Sequence, residues 1–556
     1  MTTAAVPAIE DGSTPSFADR FVPSIPAIIF ICLSIFVPLM AQPRLINGDG
    51  DLARHLRHGM YMLEHHSLIW RDPFSFTRAG QPFVPFEYGS QLIYALVYRI
   101  AGLAGVTIFA GLLIATTYAL MARVLLRHQV DALLVLVTTG AAVLLGYHHW
   151  LARPHLLSWV AIVALFGLLE SRRRPALWIY PLFFALWANI HGGWLYGIAL
   201  LGIYFAGNLV EYRVFDRSAE QWAATRHFAI ALPIALIATL ATPMSFRLWS
   251  HLYTHLGDSY VIDHTSEFES PDFHSLSSKI LLFIVLGALA ALVMNRRRMQ
   301  PAHFLVVFAG AWCSLTAARN LPLLGLTGLA AVALHIDADW RRLPGGWFTQ
   351  WRSAVARGAA SASGSAWIVL CTGVLAYVGF GNGKLFGRRI LANEFDANSF
   401  PVAAVTRARE CHLEGRLYSD FAWGGYILFA WPEQRVFIDG GTDFYGADVM
   451  RDAVALSSLD PGWRSVLNRR RVELVLTSVD SRLARELPHT PGWAVWYRDS
   501  VAVIMQRIPG VAAEHRPSSQ EVLETCADLR AEGIARLPFA THPVLARGGY
   551  RAPRAP

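Results

Sequence analysis

Apolar runs of membrane-spanning length, or close to it, recur along the chain from residue 23 to residue 380. They lie near 23–41, 103–122, 130–147, 155–170, 176–190, 193–210, 228–243, 279–294, 302–318, 320–336 and 365–380. Roughly 20 apolar residues in a helix cross the hydrocarbon core, so the pattern predicts about eleven transmembrane helices, several of them short. The stretch 89–100 is amphipathic and would either lie along the interface or begin the second span. After residue 380 the pattern changes. Short runs rich in Val, Ile, Phe and Tyr, ending in Gly or Asp, predict strands at 415–419, 435–439 and 472–477 and a hairpin over 493–507. Helices are expected between them at 424–430, 447–456 and 481–487. The expected fold class is mainly α, a polytopic membrane protein with a small C-terminal α/β domain. The expected organisation is an N-terminal tail over 1–22 and a transmembrane domain over 23–380 with a large first loop at 42–88. An α/β domain over 381–510 and a loosely ordered tail over 511–556, with one helix near 520–537, complete it.

Arginine placement orients the spans. With a cytoplasmic N-terminus, the inner loops hold Arg123 and Arg127, Arg172–Arg174, Arg213, Arg217 and Arg226, Arg296–Arg298, and Arg341, Arg342, Arg352 and Arg357. The short outer loops hold only Arg153, Arg247 and Arg319. The expected topology is N-in, with the α/β domain outside. The first loop is then extracytoplasmic.

Composition fits this picture. Of 556 residues, 54% are hydrophobic and 16% charged, against about 25% charged in soluble chains. The net charge of +8 resides in arginines of short loops, without a basic stripe interleaved with stacking aromatics, so nucleic acid is excluded as a partner. The N-terminus is polar and slightly acidic (Glu10, Asp11, Asp19, Arg20), unlike a signal peptide, and the first apolar run reads as a retained helix. Cys32, Cys313 and Cys371 lie in apolar segments. Cys411 and Cys526 would be free to pair in an oxidising compartment, but their spacing does not argue for it.

The candidate chemistry falls on the outer side. The densest stretch is Asn47-Gly48-Asp49-Gly50-Asp51-Leu52-Ala53-Arg54-His55-Leu56-Arg57-His58. If helical from Asp51, it places Asp51, Arg54, His55 and His58 on one face. Asp49 and Asp51 are suited to accept or orient an acceptor proton, to hold a divalent cation such as Mg or Mn against a phosphate, or simply to cap a helix. Arg153, His155 and Arg319 sit at outer membrane boundaries, where a charged group is expensive. They are candidate ligands for a lipid phosphate, with snorkelling to ordinary headgroups as the bland alternative. Glu87 lies at the end of the first loop. His191, before Gly192-Gly193, would meet a sugar hydroxyl or a phosphate, or serve as a turn residue. The several histidines lack an HExxH spacing or a cysteine partner, so a structural zinc site ranks below phosphate and sugar contacts. Asp439-Gly440-Gly441-Thr442-Asp443 reads as a strand-end turn, with sugar or ion binding as its alternative.

These motifs together resemble the GT-C superfamily of integral-membrane glycosyltransferases. The resemblance is carried by Asp49 to His55, Asp72-Pro73-Phe74-Ser75-Phe76-Thr77, the run from Gln81 to Leu92, Arg153-Pro154-His155, Trp187 to Gly193, Ala241-Thr242-Pro243 and Ala318-Arg319-Asn320-Leu321-Pro322. Tyr418 to Tyr426 and Phe437-Ile438-Asp439-Gly440 extend it into the α/β region. It implies a first extracytoplasmic loop bearing the key carboxylate, a polyprenyl-phosphate-linked donor and an active site outside the cytoplasm of a bacterial inner membrane. The acidic pair is Asp49-Gly50-Asp51 rather than adjacent Asp-Glu. A WWD signature is absent from the sequence, which disfavours protein N-glycosylation. The expected assignment is Asp49 or Asp51 as catalytic carboxylate, Arg54, Arg153, His155 and Arg319 at the phosphate, and His55, His58, Glu87 and His191 at the sugar or acceptor. A non-catalytic transporter or scaffold with the same body, and a polysaccharide polymerase or ligase, are the competing readings. Sugar, acceptor and oligomeric state are not specified by the sequence.

Overall fold

The structure is a computed structural model describing residues 21–295, 297–342, 346, 350–351 and 364–508. The expected helix near 520–537, most of both tails and Cys526 lie outside the described residues.

Among the described residues, five helices are long and apolar enough to cross a membrane: Tyr88–Arg127, Ala132–His149, Trp194–Phe215, Leu276–Met294 and Ala318–Trp340. Shorter apolar helices occupy Ile25–Met40, His155–Leu169, Ile179–Ala188, Pro301–Thr316 and Ser365–Phe380. The amphipathic stretch at 89–100 begins the second span. One 40-residue helix runs Tyr88–Arg127, bent at Gly102, whose φ of 61° suits a residue without a Cβ. Past the bend, Asn393 Oδ1 accepts the Ala104 N–H at 2.8 Å, replacing a helical partner that the kink removes. The run expected at 228–243 is instead a helix over Ala219–Ala238, because Ser218 caps it by accepting the Gln221 N–H at 3.1 Å. The last part of the body is irregular. A 3₁₀ turn at Ala318–Asn320 leads through a π-helical stretch, Leu324–Gly328, into the helix Leu329–Trp340.

The segment 244–278, expected as a loop, contains the helix Phe246–Gly257. Leu248 and Leu252 are buried on one face, while Phe246 and Tyr253 are exposed on the other.

The α/β region holds a four-stranded sheet in the order Leu417–Ser419, Leu474–Ser478, Ala502–Arg507, Trp493–Arg498. The first pair is parallel, with Leu417 opposite Leu474; the others are antiparallel. The period of two gives the sheet two apolar faces. Leu417, Leu474, Leu476 and Ile504 join the core that continues into the helical body. Tyr418, Val475, Val503 and Met505 join a second core with Val449, Leu456 and Leu467 of the covering helices Thr442–Ser458 and Trp463–Arg469. A helix at Val402–Glu410 is present that the sequence pattern did not predict. Residues 435–439 form no ladder. Val436 makes only single bridges, to Ser75 and to Leu417, and so stitches the first loop to the sheet. Phe76 N–H donates to Val436 O at 3.1 Å, and Val436 N–H to Phe74 O at 3.0 Å.

Candidate functional site

The turn Asn47–Gly50 leads into the helix Asp51–His65. Asp49 Oδ1 accepts the Asp51 N–H at 2.8 Å, which sets the helix start. The one-turn spacing then brings Arg54, His55 and His58 to a single buried face.

Four carboxylates and three arginines meet here. Arg153, from the turn before the helix His155–Leu169, places Nη2 2.8 Å from Asp49 Oδ2 and 3.1 Å from Asp51 Oδ2. Its Nη1 reaches Glu267 Oε1 at 2.5 Å. Arg319 stands 3.8 Å from Glu267 Oε2 and stacks over Phe268. Arg54 Nε lies 3.6 Å from Asp51 Oδ1 and 3.9 Å from Asp439 Oδ1. The ion chain thus runs Arg319–Glu267–Arg153–Asp49/Asp51–Arg54–Asp439.

Burial and these neighbours set the charges. Burial pushes Asp49 up, Asp51 adds to the rise, and Arg153 opposes it. Burial also raises Glu267, but the charges of Arg153 and Arg319 prevail and hold it at about 2. Glu87 is pushed up to about 7 and Asp439 to about 6, chiefly by burial. His55 falls well below the usual histidine range through burial and the Arg54 charge, and so does His58. His191 falls to about 3 for the same first reason, helped by Arg319.

Glu87 sits between two imidazoles, 3.7 Å from His55 Nδ1 and 3.4 Å from His191 Nε2. The Gly193 N–H donates to His191 Nδ1 at 2.9 Å, so Nε2 carries the proton and faces Glu87. His155 turns away from the carboxylates: its Nε2 donates to the His149 carbonyl at 2.9 Å. Of the residues singled out from sequence, the structure therefore joins Asp49, Asp51, Arg54, Arg153 and Arg319 in one chain of charges. It sets His55, Glu87 and His191 in an adjoining trio, His58 beside Arg54, and His155 behind Arg153.

Asp49 Oδ2 and Asp51 Oδ2 face the Arg153 guanidinium, which a divalent cation bound to both would have to displace. Among the described residues no group of three His, Cys, Asp or Glu side chains is placed to hold a metal.

Sequence reasoning read Asp439 and Asp443 as a strand-end turn, with sugar or ion binding as the alternative, and gave Glu267 and Gln91 no role. The first two flank the turn read as structural. A Cβ on Gly440 would strike Asp51 Oδ1, so a larger residue there would have to push the Asp51 carboxylate aside. Asp443 accepts from His251 Nε2 at 3.0 Å; burial raises it, and the His251 bond and charge bring it down to about 2. The signal that could have found them is the repetition of one pattern, Asp-Gly-Asp and Asp-Gly-Gly-Thr-Asp. Beside this contact opens a narrow cleft with room for about one water molecule, about 10 Å³, lined by Arg54, His58, Glu87, Gln91, Asp439 and Asp443 among aromatic side chains.

No protein-family model and no curated protein matches the chain. Solved structures do resemble it. An oligosaccharyltransferase from Archaeoglobus fulgidus in the apo form aligns with a TM-score of 0.51 at 13% identity, over 88% of this chain and 74% of that one. The archaeal oligosaccharyltransferase AglB from the same organism, in complex with an inhibitory peptide and a dolichol-phosphate, gives 0.49 at 12%, over 88% and 74%. ArnT from Cupriavidus metallidurans bound to undecaprenyl phosphate gives 0.47 at 16%, over 87% and 98%. The chain shares the fold of the apo oligosaccharyltransferase, a polytopic helical body followed by a small sheet region.

Proposed function

We propose that this protein is a GT-C glycosyltransferase that moves a sugar from a polyprenyl-phosphate-linked donor to an extracytoplasmic glycan, lipid or protein. The reading places it in a bacterial inner membrane, N-terminus inside, with the α/β region and the site outside. The observation that carries it is Arg153, held at 2.5–3.1 Å among Glu267, Asp49 and Asp51, with Arg319 alongside. Two arginines fixed by carboxylates at the end of a membrane body are suited to a lipid phosphate. The fold of an oligosaccharyltransferase supports the same class of reaction.

In this reading the acceptor hydroxyl attacks the sugar C1, and the bond from C1 to the phosphate oxygen breaks. The electron pair leaves with the polyprenyl phosphate, whose growing charge Arg153 and Arg319 neutralise. The acceptor proton passes to Asp51. Asp49 is the lesser candidate as base, because its Oδ1 already accepts the Asp51 N–H. It positions the turn and Arg153.

The test is incubation of the purified chain in nanodiscs with a panel of polyprenyl-phosphate sugars, reading release of lipid phosphate. Release by wild type and its loss in Asp51→Asn support the proposal. No release across the panel, with Asp51→Asn still complementing a deletion, refutes it.

A further inference from the structure

We propose that the hairpin of strands Lys384–Leu385 and Arg388–Arg389, at the end of the apolar helix Ser365–Phe380, binds anionic phospholipid headgroups, with Phe386 set among the adjoining acyl chains. This surface shares no residue with the carboxylate cluster, and the proposal does not depend on the transferase reading.

The helix is apolar over 16 residues. That is about 24 Å, short of the roughly 30 Å hydrocarbon core, so the residues after its last turn stand where hydrocarbon gives way to headgroups. On one side Leu375 and Val378 pack into a core with Ala104 and Ile108. On the other, Leu370, Val374, Tyr377 and Phe380 fall at i, i+4, i+7 and i+10 and are exposed, as on the lipid-facing side of a span. The hairpin continues that side. Leu385 packs on the same core as Val378. The Gly383 N–H donates to Val378 O at 2.9 Å, and the Ile390 N–H to Gly383 O at 2.8 Å, which ties the hairpin to the helix end. Phe386 is turned outward, 86% exposed, its ring centroid 6.3 Å from that of Tyr377. Phe386 and Gly387 form the tight turn with φ of 46° and 80°. Such turns favour Gly, Asn or Asp at both positions, so the phenylalanine holds an unfavourable conformation to present a bare ring.

The charges on the hairpin lack counter-charges. The register sets Lys384 directly opposite Arg389. Like charges facing each other across a strand pair repel, and an anion between them removes that penalty. Arg388 stands beside them, and all three cations are exposed. Among the described residues their one acidic partner is Glu394, 3.5 Å from Arg389 and itself exposed. Lys384 and Arg388 have no carboxylate within ion-pair distance among those residues. A phosphodiester headgroup supplies the missing charge, and its acyl chains supply the apolar surroundings that Phe386 and Ile390 lack. A soluble anion would leave Phe386 bare, and a neutral lipid would leave the cations repelling. The apolar stripe runs from the side of the span through Tyr377 onto Phe386, which favours a lipid over a protein partner.

The test titrates the full chain in dodecyl maltoside with dioleoyl phosphatidylglycerol or dioleoyl phosphatidylcholine and counts bound lipids by native mass spectrometry. Two unanswered cations, at about fivefold each, give phosphatidylglycerol a preference of about 25-fold. Lys384→Gln with Arg388→Gln abolishes the preference and leaves phosphatidylcholine binding as it was. Its lipid-free melting temperature does not fall, because the exchange also removes a like-charged pair. Phe386→Ser weakens both lipids about tenfold and keeps the preference. Arg172→Gln with Arg173→Gln, an exposed pair in another loop, leaves the preference intact. Should the double hairpin variant fail to fold, Arg388→Gln alone lowers the preference about fivefold. Equal retention of the two lipids, or the same loss in the Arg172/Arg173 pair, overturns the proposal. So does displacement of the lipid by inorganic phosphate as readily as by short-chain phosphatidylglycerol, which would mark a bare anion site. A dimer that the hairpin substitutions dissolve would assign this face to a second copy and overturn it as well.

Discussion

Arg153→Gln is the most informative single change. The wild-type cluster balances Asp49, Asp51 and Glu267 against Arg54, Arg153 and Arg319. The replacement removes the cation that all three carboxylates share. Asp51 keeps Arg54 at 3.6 Å and Glu267 keeps Arg319 at 3.8 Å, but Asp49 loses the only ion pair described for it. Removing one member of a buried pair costs about 3–5 kcal/mol, mostly through the partner left uncompensated. The loss has a pH signature. Burial and Asp51 already raise Asp49, and without Arg153 it rises further above its unfolded value. Stability tied to a raised carboxyl is present below the unfolded pKa and lost as pH climbs through the folded one. The variant's deficit is therefore smaller at pH 5 than at pH 8. Adding Glu267→Gln removes a second facing charge and restores about 1–3 kcal/mol, as expected for coupled neighbours. Unfolding in mixed micelles, followed by tryptophan fluorescence at both pH values, measures all three quantities. A deficit under about 1 kcal/mol, or one that is flat with pH, would refute the picture of a shared buried cation.

Four further outcomes follow from the same geometry. Asp51→Asn lowers lipid-phosphate release at least about 100-fold with little change in melting temperature, and Asp49→Asn affects both; equal behaviour of the two variants would reverse the assigned roles. Glu267 is held at about 2, against 4.5 in the free side chain, so its contribution is intact above pH 4.5 and lost as pH falls toward 2. It amounts to at most about 3 kcal/mol, and Glu267→Gln should flatten the acid limb of the melting curve over that window. Gly440→Ala drives a methyl into Asp51 and should cut turnover about 100-fold at unchanged donor KM; normal turnover would place Asp51 outside the reaction. Arg319→Gln, at the exposed end of the ion chain, should raise donor KM more than it lowers kcat, read from initial rates against donor concentration.

The membrane body was legible because its helices bury or face lipid with long apolar runs, a strong signal. What failed were places where local chemistry overrode the run. Ser218 caps a helix earlier than hydropathy suggests, and Gly102 and Asn393 join a surface segment to a span. The strand expected at 435–439 has the right residues but spends its bonding on two different partners, the first loop and the sheet edge. At the site, the face Asp51–Arg54–His55–His58 could be read from spacing alone. Asp439 and Asp443 could not, because their proximity to Asp51 depends on folding across nearly four hundred residues of chain, which periodicity does not encode. Glu267 was visible only as one acid among several in a loop. His155, singled out by its boundary position, bonds to backbone instead.

The contact between Gly440 and Asp51 also imposes an order in time. Among the described residues, every apolar helix long enough to span a membrane precedes residue 381, so all are synthesised before residue 439 exists. Until then Arg54 has one carboxylate instead of two, the cleft lacks a wall, and Asp51 lacks its stop. A nascent or prematurely terminated chain is therefore a helical body with an incomplete candidate site. On the proposed reading such a chain lacks the turn that abuts Asp51, so full turnover would await completion of the chain.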